Sequence, residues 1–248
     1  MRPFLLFATA LALAAAGQAA RPEPVERAEP QRFASGPARV SLVELYTSEG
    51  CSSCLPAEKW LGSFRDDAGL WKTFVPVAFH VNYWDRLGWP DRFASREATQ
   101  REYAYADAWG TGSVYTPCVV RDGAEWHGVG EKLSAAGGAP TGVLTASYDG
   151  AVVRADFAPA VSRVGEHFEI HAALLGGGIV SKVTAGENSG ETLRHEFVAL
   201  AVAHGAPGTE IALVSPKLAG VPRRALAVWV TRRGELAPLQ AAGGWVAP

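Results

Sequence analysis

Cys51-Ser52-Ser53-Cys54 holds two of the three cysteines of this 248-residue chain. Two thiols at that spacing close a small disulfide ring that opens and reforms, so the pair suits redox chemistry. The third, Cys118, directly follows Thr116-Pro117. Three cysteines are too few to staple a chain of this size. The odd one must stay free, bind something, or pair between molecules. An isolated pair of this kind is equally consistent with an inert structural disulfide.

The elements around the pair set its context. Val40 to Tyr46 is a short apolar run of the buried-strand type and delivers the chain to Cys51. Beyond it, Ala57, Trp60, Leu61 and Phe64 recur at i, i+3, i+4 and i+7, one face of an amphipathic helix. Pro56 fits only the first turn, which places the helix start near Ser52 or Ser53. Phe74 to Val81 reads as a second buried strand. Ser95 can cap a helix that runs to about Trp109, where Gly110 and Gly112 end it. Cys118 to Arg121, an Asp122-Gly123 turn and Ala124 to His127 form a hairpin, and Val129 to Ala136 suits a short closing helix. The expected order is β-α-β-α-β-β-α, an α/β sheet covered on both faces.

From Gly142 the texture changes to short strands separated by Gly and Pro turns. These are Gly142–Tyr148, Ala151–Phe157, Phe168–Leu175, Ile179–Thr184, Phe197–Ala203, Glu210–Val214 and Ala225–Thr231. Such a pattern predicts an all-β, sandwich-like domain. Gly137 to Pro140 is the natural linker between a first domain at 39–137 and a second at 142–248.

The N-terminus bears on compartment. Residues 1–20 have one early charge, Arg2, and an apolar run from Phe4 to Ala16, with small residues at the end, as a secretory signal does. That run is shorter than the ~20 apolar residues of a spanning helix. Residues 21–38, rich in Pro, Glu, Arg and Ala, read as a disordered leader. Export to the periplasm or beyond would leave a dithiol oxidised at rest unless a partner reduces it. The formal charge is −2, or −3 once Arg2 is removed, which argues against a nucleic-acid or membrane footprint.

A Cys-x-x-Cys pair after the first strand and a Thr-Pro before the third together resemble the thioredoxin-like superfamily over residues 40–136. More closely, Leu45 to Cys54, His80-Val81-Asn82-Tyr83-Trp84-Asp85 and Val114 to Pro117 resemble an uncharacterised family of bacterial exported proteins of unknown function with a thioredoxin-like domain. That likeness continues through Gly186-Glu187-Asn188 and Leu193-Arg194-His195. It implies that Cys51 is the exposed attacking thiol and that Cys54 resolves the mixed disulfide. It also implies that Pro117 is cis, with Thr116 presenting backbone to an extended substrate. Glu44, in the first strand, would be the acid that moves the resolving cysteine's proton, unless strand alternation turns it towards solvent or a salt bridge. Apart from the likeness, the aromatics of the loop from Asn82 to Pro90, Trp84 among them, suit a lip for a protein substrate and suit packing under the loop equally well.

The sequence departs from the pattern at Cys118, where a polar amide usually follows the proline. A thiol there could compete as a resolving group or complete a zinc or Cu(I) site of Cys51, Cys54 and Cys118 with His80 as a fourth ligand. A free cysteine in a strand is more often a small buried hydrophobe. Glu49 would disfavour a Cys51 thiolate, and Arg194-His195-Glu196 reads as surface or domain-interface pairing. The expected function is thiol–disulfide exchange with protein thiols or disulfides, needing no organic cofactor. A thiolate metal-binding protein and a non-catalytic binding module with a structural disulfide are the alternatives.

Overall fold

The computed structural model describes residues 29–214 and 216–247; the expected signal at 1–20 lies outside the described residues. In chain order the elements of the first half are β1 (Gln31–Ala34), β2 (Ser41–Thr47), α1 (Leu55–Ser63), β3 (Phe74–His80), α2 (Arg96–Trp109), β4 (Cys118–Arg121) and β5 (Ala124–Glu125). The second half supplies β6 (Gly142–Tyr148), β7 (Val152–Pro159), β8 (Phe168–Gly177), β9 (Ile179–Lys182) and β10 (Thr192–His195). It continues with β11 (Val198–Gly205), β12 (Glu210–Ala212), β13 (Arg223–Arg232) and β14 (Pro238–Val246). Among the described residues no helix is long and apolar enough to cross a membrane.

Local chemistry explains the helices. A 3-10 turn at Ser52–Cys54 leads into α1, with Pro56 in its first turn and Ala57, Trp60 and Leu61 buried. The Ser95 hydroxyl caps α2 by accepting the Ala98 N–H at 3.0 Å, and Gly110 ends it in the left-handed region. The expected helix at 129–136 is absent. Trp60 and Arg121 side chains donate to the carbonyls of Glu131 and Ser134, at 2.8 and 2.6 Å, which fixes the segment as an irregular covering. Gly130, at φ +96°, breaks any helical run there.

One mixed sheet of eight strands runs through both halves in the order β14-β13-β8-β11-β3-β2-β4-β5. β2 and β3 pair in parallel, as the intervening helix requires. The halves join where β11 meets β3 in parallel, the Ala78 N–H donating to the Phe197 carbonyl at 2.8 Å. A second sheet, β1-β6-β7-β12, packs against the second-half end of the large one. Period-two alternation allots the residues between two cores. Leu226, Val228 and Val230 of β13 enter the core between the sheets, while Ala225, Ala227 and Trp229 enter the core under the helices.

Three strands lie outside the sequence expectation. β1 falls within the expected leader, yet pairs antiparallel with β6 and buries Phe33. β10 pairs with β9 in a small ribbon. β14 is written in small residues, Ala241 to Gly244, because the backbone passes close to its neighbours. A Cβ at Gly243 would sit 2.6 Å from the Leu226 carbonyl and 2.8 Å from the Trp71 ring. The buried Gln240 amide ties distant segments together. It accepts the Val40 N–H at 2.7 Å and donates to the carbonyls of Gly36, Ala38 and Gly142.

Candidate functional site

Cys51 and Cys54 are joined in a disulfide at the entrance to α1. The expectation of an exposed Cys51 is not met: both cysteines have 0% exposed surface. Ser52 and Ser53 between them are exposed. Part of the cover comes from the second half of the chain, through the turn joining β9 to β10. The Glu187 carboxylate accepts the Ser52 N–H at 3.1 Å and its hydroxyl at 2.8 Å. The Asn188 amide donates to the Glu49 carbonyl at 2.8 Å. One of the unpaired N–H groups that opens the helix is thereby bound by an acid instead of facing the sulfur.

Cys51 Sγ ends a line of polar side chains. The Thr116 hydroxyl donates to it at 3.3 Å, and the Trp84 indole donates to that hydroxyl at 2.7 Å. The Thr116–Pro117 bond is cis, and the Thr116 carbonyl accepts from Ser53 at 3.5 Å. The Tyr83 hydroxyl also interacts with the Thr116 side chain and donates to Glu102 at 3.2 Å. Burial pushes the Glu102 carboxyl up to about 7. Two hydrogen-bonded pairs thus stand near one another, Thr116 on the Cys51 sulfur and Tyr83 on Glu102, an acid that titrates near neutrality.

Behind the cysteine loop lies a buried polar cluster. His195, from β10, sits between Glu58 of α1 (Nδ1 to Oε2, 2.7 Å) and Glu49 (Nε2 to Oε1, 3.1 Å). Burial opposes its charge, but the hydrogen bonds to Glu49 and Glu58 prevail and raise the imidazole to about 10. His80, at the end of β3, meets Asp91 through Nδ1 at 2.7 Å. Burial opposes the Asp91 charge as well, yet His80 brings that carboxyl down to about 2. Asp91 also accepts the Glu49 N–H at 2.8 Å, which ties the cluster to the cysteine loop.

The comparisons with known proteins can be set on this geometry. A family described as a protein of unknown function, DUF1223, matches residues 42–231. The chain belongs to that family. The match takes in both cysteines, Glu102, Glu187 and His195, and leaves out β1 and β14. No curated protein matches the chain. A crystal structure of a protein from Agrobacterium tumefaciens is similar, with 22% identity and a TM-score of 0.57, over 84% of this chain and 94% of that one. HBP35 of Porphyromonas gingivalis is similar at 13% identity and a TM-score of 0.51, over 85% of this chain and 76% of that one. At these identities the likeness is one of fold.

The remaining expected site residues divide. Thr116, Pro117 and Trp84 gather at Cys51. Glu44 does not. Alternation along β2 turns Thr47 towards α1, where it donates to Glu58, and turns Glu44 to the opposite face. There Glu44 accepts from Arg101 at 2.6 and 3.1 Å, from Tyr105 at 2.7 Å and from Tyr46 at 2.9 Å. Its oxygens are filled, so it is a structural ion pair and no proton relay. Cys118 is buried and free, and burial, reinforced by the Glu102 charge, pushes its thiol up to about 12. It stays a thiol, which argues against a second resolving nucleophile. Nor does the expected thiolate metal set form. Among the described residues, the potential ligands that come together are Glu58, His80 and His195, with no cysteine among them. The sequence reading missed Glu102 and Glu58, and assigned His195 only to surface or interface pairing. A glutamate at a buried helical position was the available signal for the first two.

Proposed function

We propose that this is an exported thiol–disulfide exchange protein acting through Cys51 and Cys54, with its first half a thioredoxin-like unit. A thiolate of the partner attacks Cys51 Sγ, the Cys51–Cys54 bond breaks, and Cys54 leaves as a thiolate and takes up a proton. A second partner thiol then attacks the mixed disulfide and releases Cys51. The partner dithiol is oxidised to a disulfide and the protein is left as a dithiol, two protons having been gained. Thr116, held by the Trp84 indole, touches Cys51 Sγ, and a partner reaches that atom once its cover moves. The observation that carries the reading is the Thr116 hydroxyl on Cys51 Sγ beside the Cys51–Cys54 bond, because release of Cys51 requires a proton at that atom.

One observation favours a second reading, a binding module with a static crosslink: neither cysteine has exposed surface. Replacing the resolving thiol separates the two. Cys54→Ser should accumulate mixed disulfides on Cys51 in cells, resolved by non-reducing electrophoresis and identified by mass spectrometry. Recovery of Cys51 only as a free thiol would leave the crosslink reading standing. The reduction potential gives a second check, since a static disulfide falls below roughly −300 mV and an exchanging one above it.

A further inference from the structure

We infer that Glu58, His80 and His195 form a binding site for a divalent zinc-type cation, separate from the cysteines. The inference does not depend on the exchange chemistry. His80 is 1% exposed and its Nε2 has no hydrogen-bond partner. A buried ring nitrogen without a partner is costly unless something else uses it. A ring nitrogen of His80 lies within 4.8 Å of ligand atoms of both Glu58 and His195, packed beside Leu45, Leu61 and Ala78.

The surroundings are those of metal-binding histidines. A ligating imidazole normally gives its second nitrogen to a carboxylate, which fixes the ring and its tautomer. Both rings here do so. Asp91 holds His80 by Nδ1 and directs Nε2 inward; Glu49 holds His195 by Nε2 and directs Nδ1 inward. Those outer carboxylates are held in turn, Asp91 by the Glu49 N–H and Glu49 by the Trp89 indole at 2.8 Å. Glu58 is anchored through Oε1 by Thr47 at 2.6 Å, which leaves Oε2 facing His195.

Two imidazoles and a carboxylate suit zinc, with bonds of about 2.0–2.2 Å. Donors sharing such an ion stand about 3.4 Å apart. The Glu58–His195 contact at 2.7 Å has only to open slightly and the His80 nitrogen to close on them. Ligation needs both imidazoles neutral, so the proton that His195 shares with Glu58 leaves as the ion enters; three carboxylates then surround the ion, which offsets two of them. Glu58 also lines the cleft between α1 and β10, so one ligand of the set borders solvent.

The test uses the full chain stripped with a chelator and titrated with Zn2+ by calorimetry. One equivalent should bind. His80→Asn keeps a nitrogen where Nδ1 meets Asp91 and deletes Nε2. It should unfold at the same temperature as the parent without metal, yet bind Zn2+ at least about a hundredfold more weakly, more than the loss of an outer partner costs. Co2+ in the site should give no thiolate-to-metal charge-transfer band. Absence of stoichiometric Zn2+ binding, unchanged affinity in a folded His80→Asn variant, or a thiolate band each overturns the inference.

Discussion

Glu102 and Glu44 are both acids in largely apolar surroundings, and their partners give them opposite roles. Glu102 is pushed up by burial to about 7 from an ordinary 4.5, which the Tyr83 hydroxyl and the Tyr115 backbone only partly oppose. Its folded-state value is raised, so the neutral acid is favoured in the fold. The stability this contributes is full below about 4.5 and is lost as the pH climbs through about 7. Glu102→Gln should flatten that loss, and thermal unfolding between pH 5 and pH 8 measures it. The same substitution should remove an inflection near pH 7 from the exchange rate and slow exchange about tenfold to a hundredfold, with Tyr83→Phe doing likewise. Glu44 instead meets Arg101 in a buried pair. Glu44→Gln should cost about 3–5 kcal/mol in urea unfolding, whereas replacing both residues with apolar ones should cost far less. From sequence, Glu44 looked like the relay because its place in the strand that leads to Cys51 is visible in one dimension. The face it points to depends on where α2 docks, and that is a tertiary fact. Cys51 and Cys54 were legible because spacing and helix phase are local.

At the level of elements, β9 and β10 matter most to the site. Their connecting turn carries Glu187 and Asn188 onto the cysteine loop, more than 130 residues away in sequence. A carboxylate on the Ser52 N–H opposes formation of a Cys51 thiolate by its charge and by occupying a donor. Glu187→Gln should therefore make the couple more oxidising, by about 10–30 mV given that Glu187 is exposed and screened by solvent. Equilibration with glutathione at fixed pH reads the shift, and a more reducing couple would contradict this account. β10 was not legible in the sequence. Its four residues lack a long apolar run, and His195 earns burial only through Glu49 and Glu58. β14 was hidden for the opposite reason: its small residues and glycines are what close packing against β13 and Trp71 demands. The helices were legible, Ser95 and Gly110 marking both ends of α2.

Over the whole molecule, the last described helix ends at Trp109, and the change of texture near residue 142 marks no break in the sheet. β11 continues the strand ladder of β3, and β13 and β14 extend it, so the halves share a core. A partner strand for β3 and a cover for the cysteines both come from the later half. Gln240 adds a bond to Val40 across 200 positions. This spacing has a consequence for biogenesis. In a chain made from its N-terminus, Cys51 and Cys54 emerge well before Glu187 and Asn188, and earlier still than Gln240. The sulfurs can pair while open to solvent, and their cover arrives afterwards. An oxidant that meets the growing chain thus finds accessible thiols, whereas any reagent that meets the finished protein reaches the sulfurs only after their cover moves.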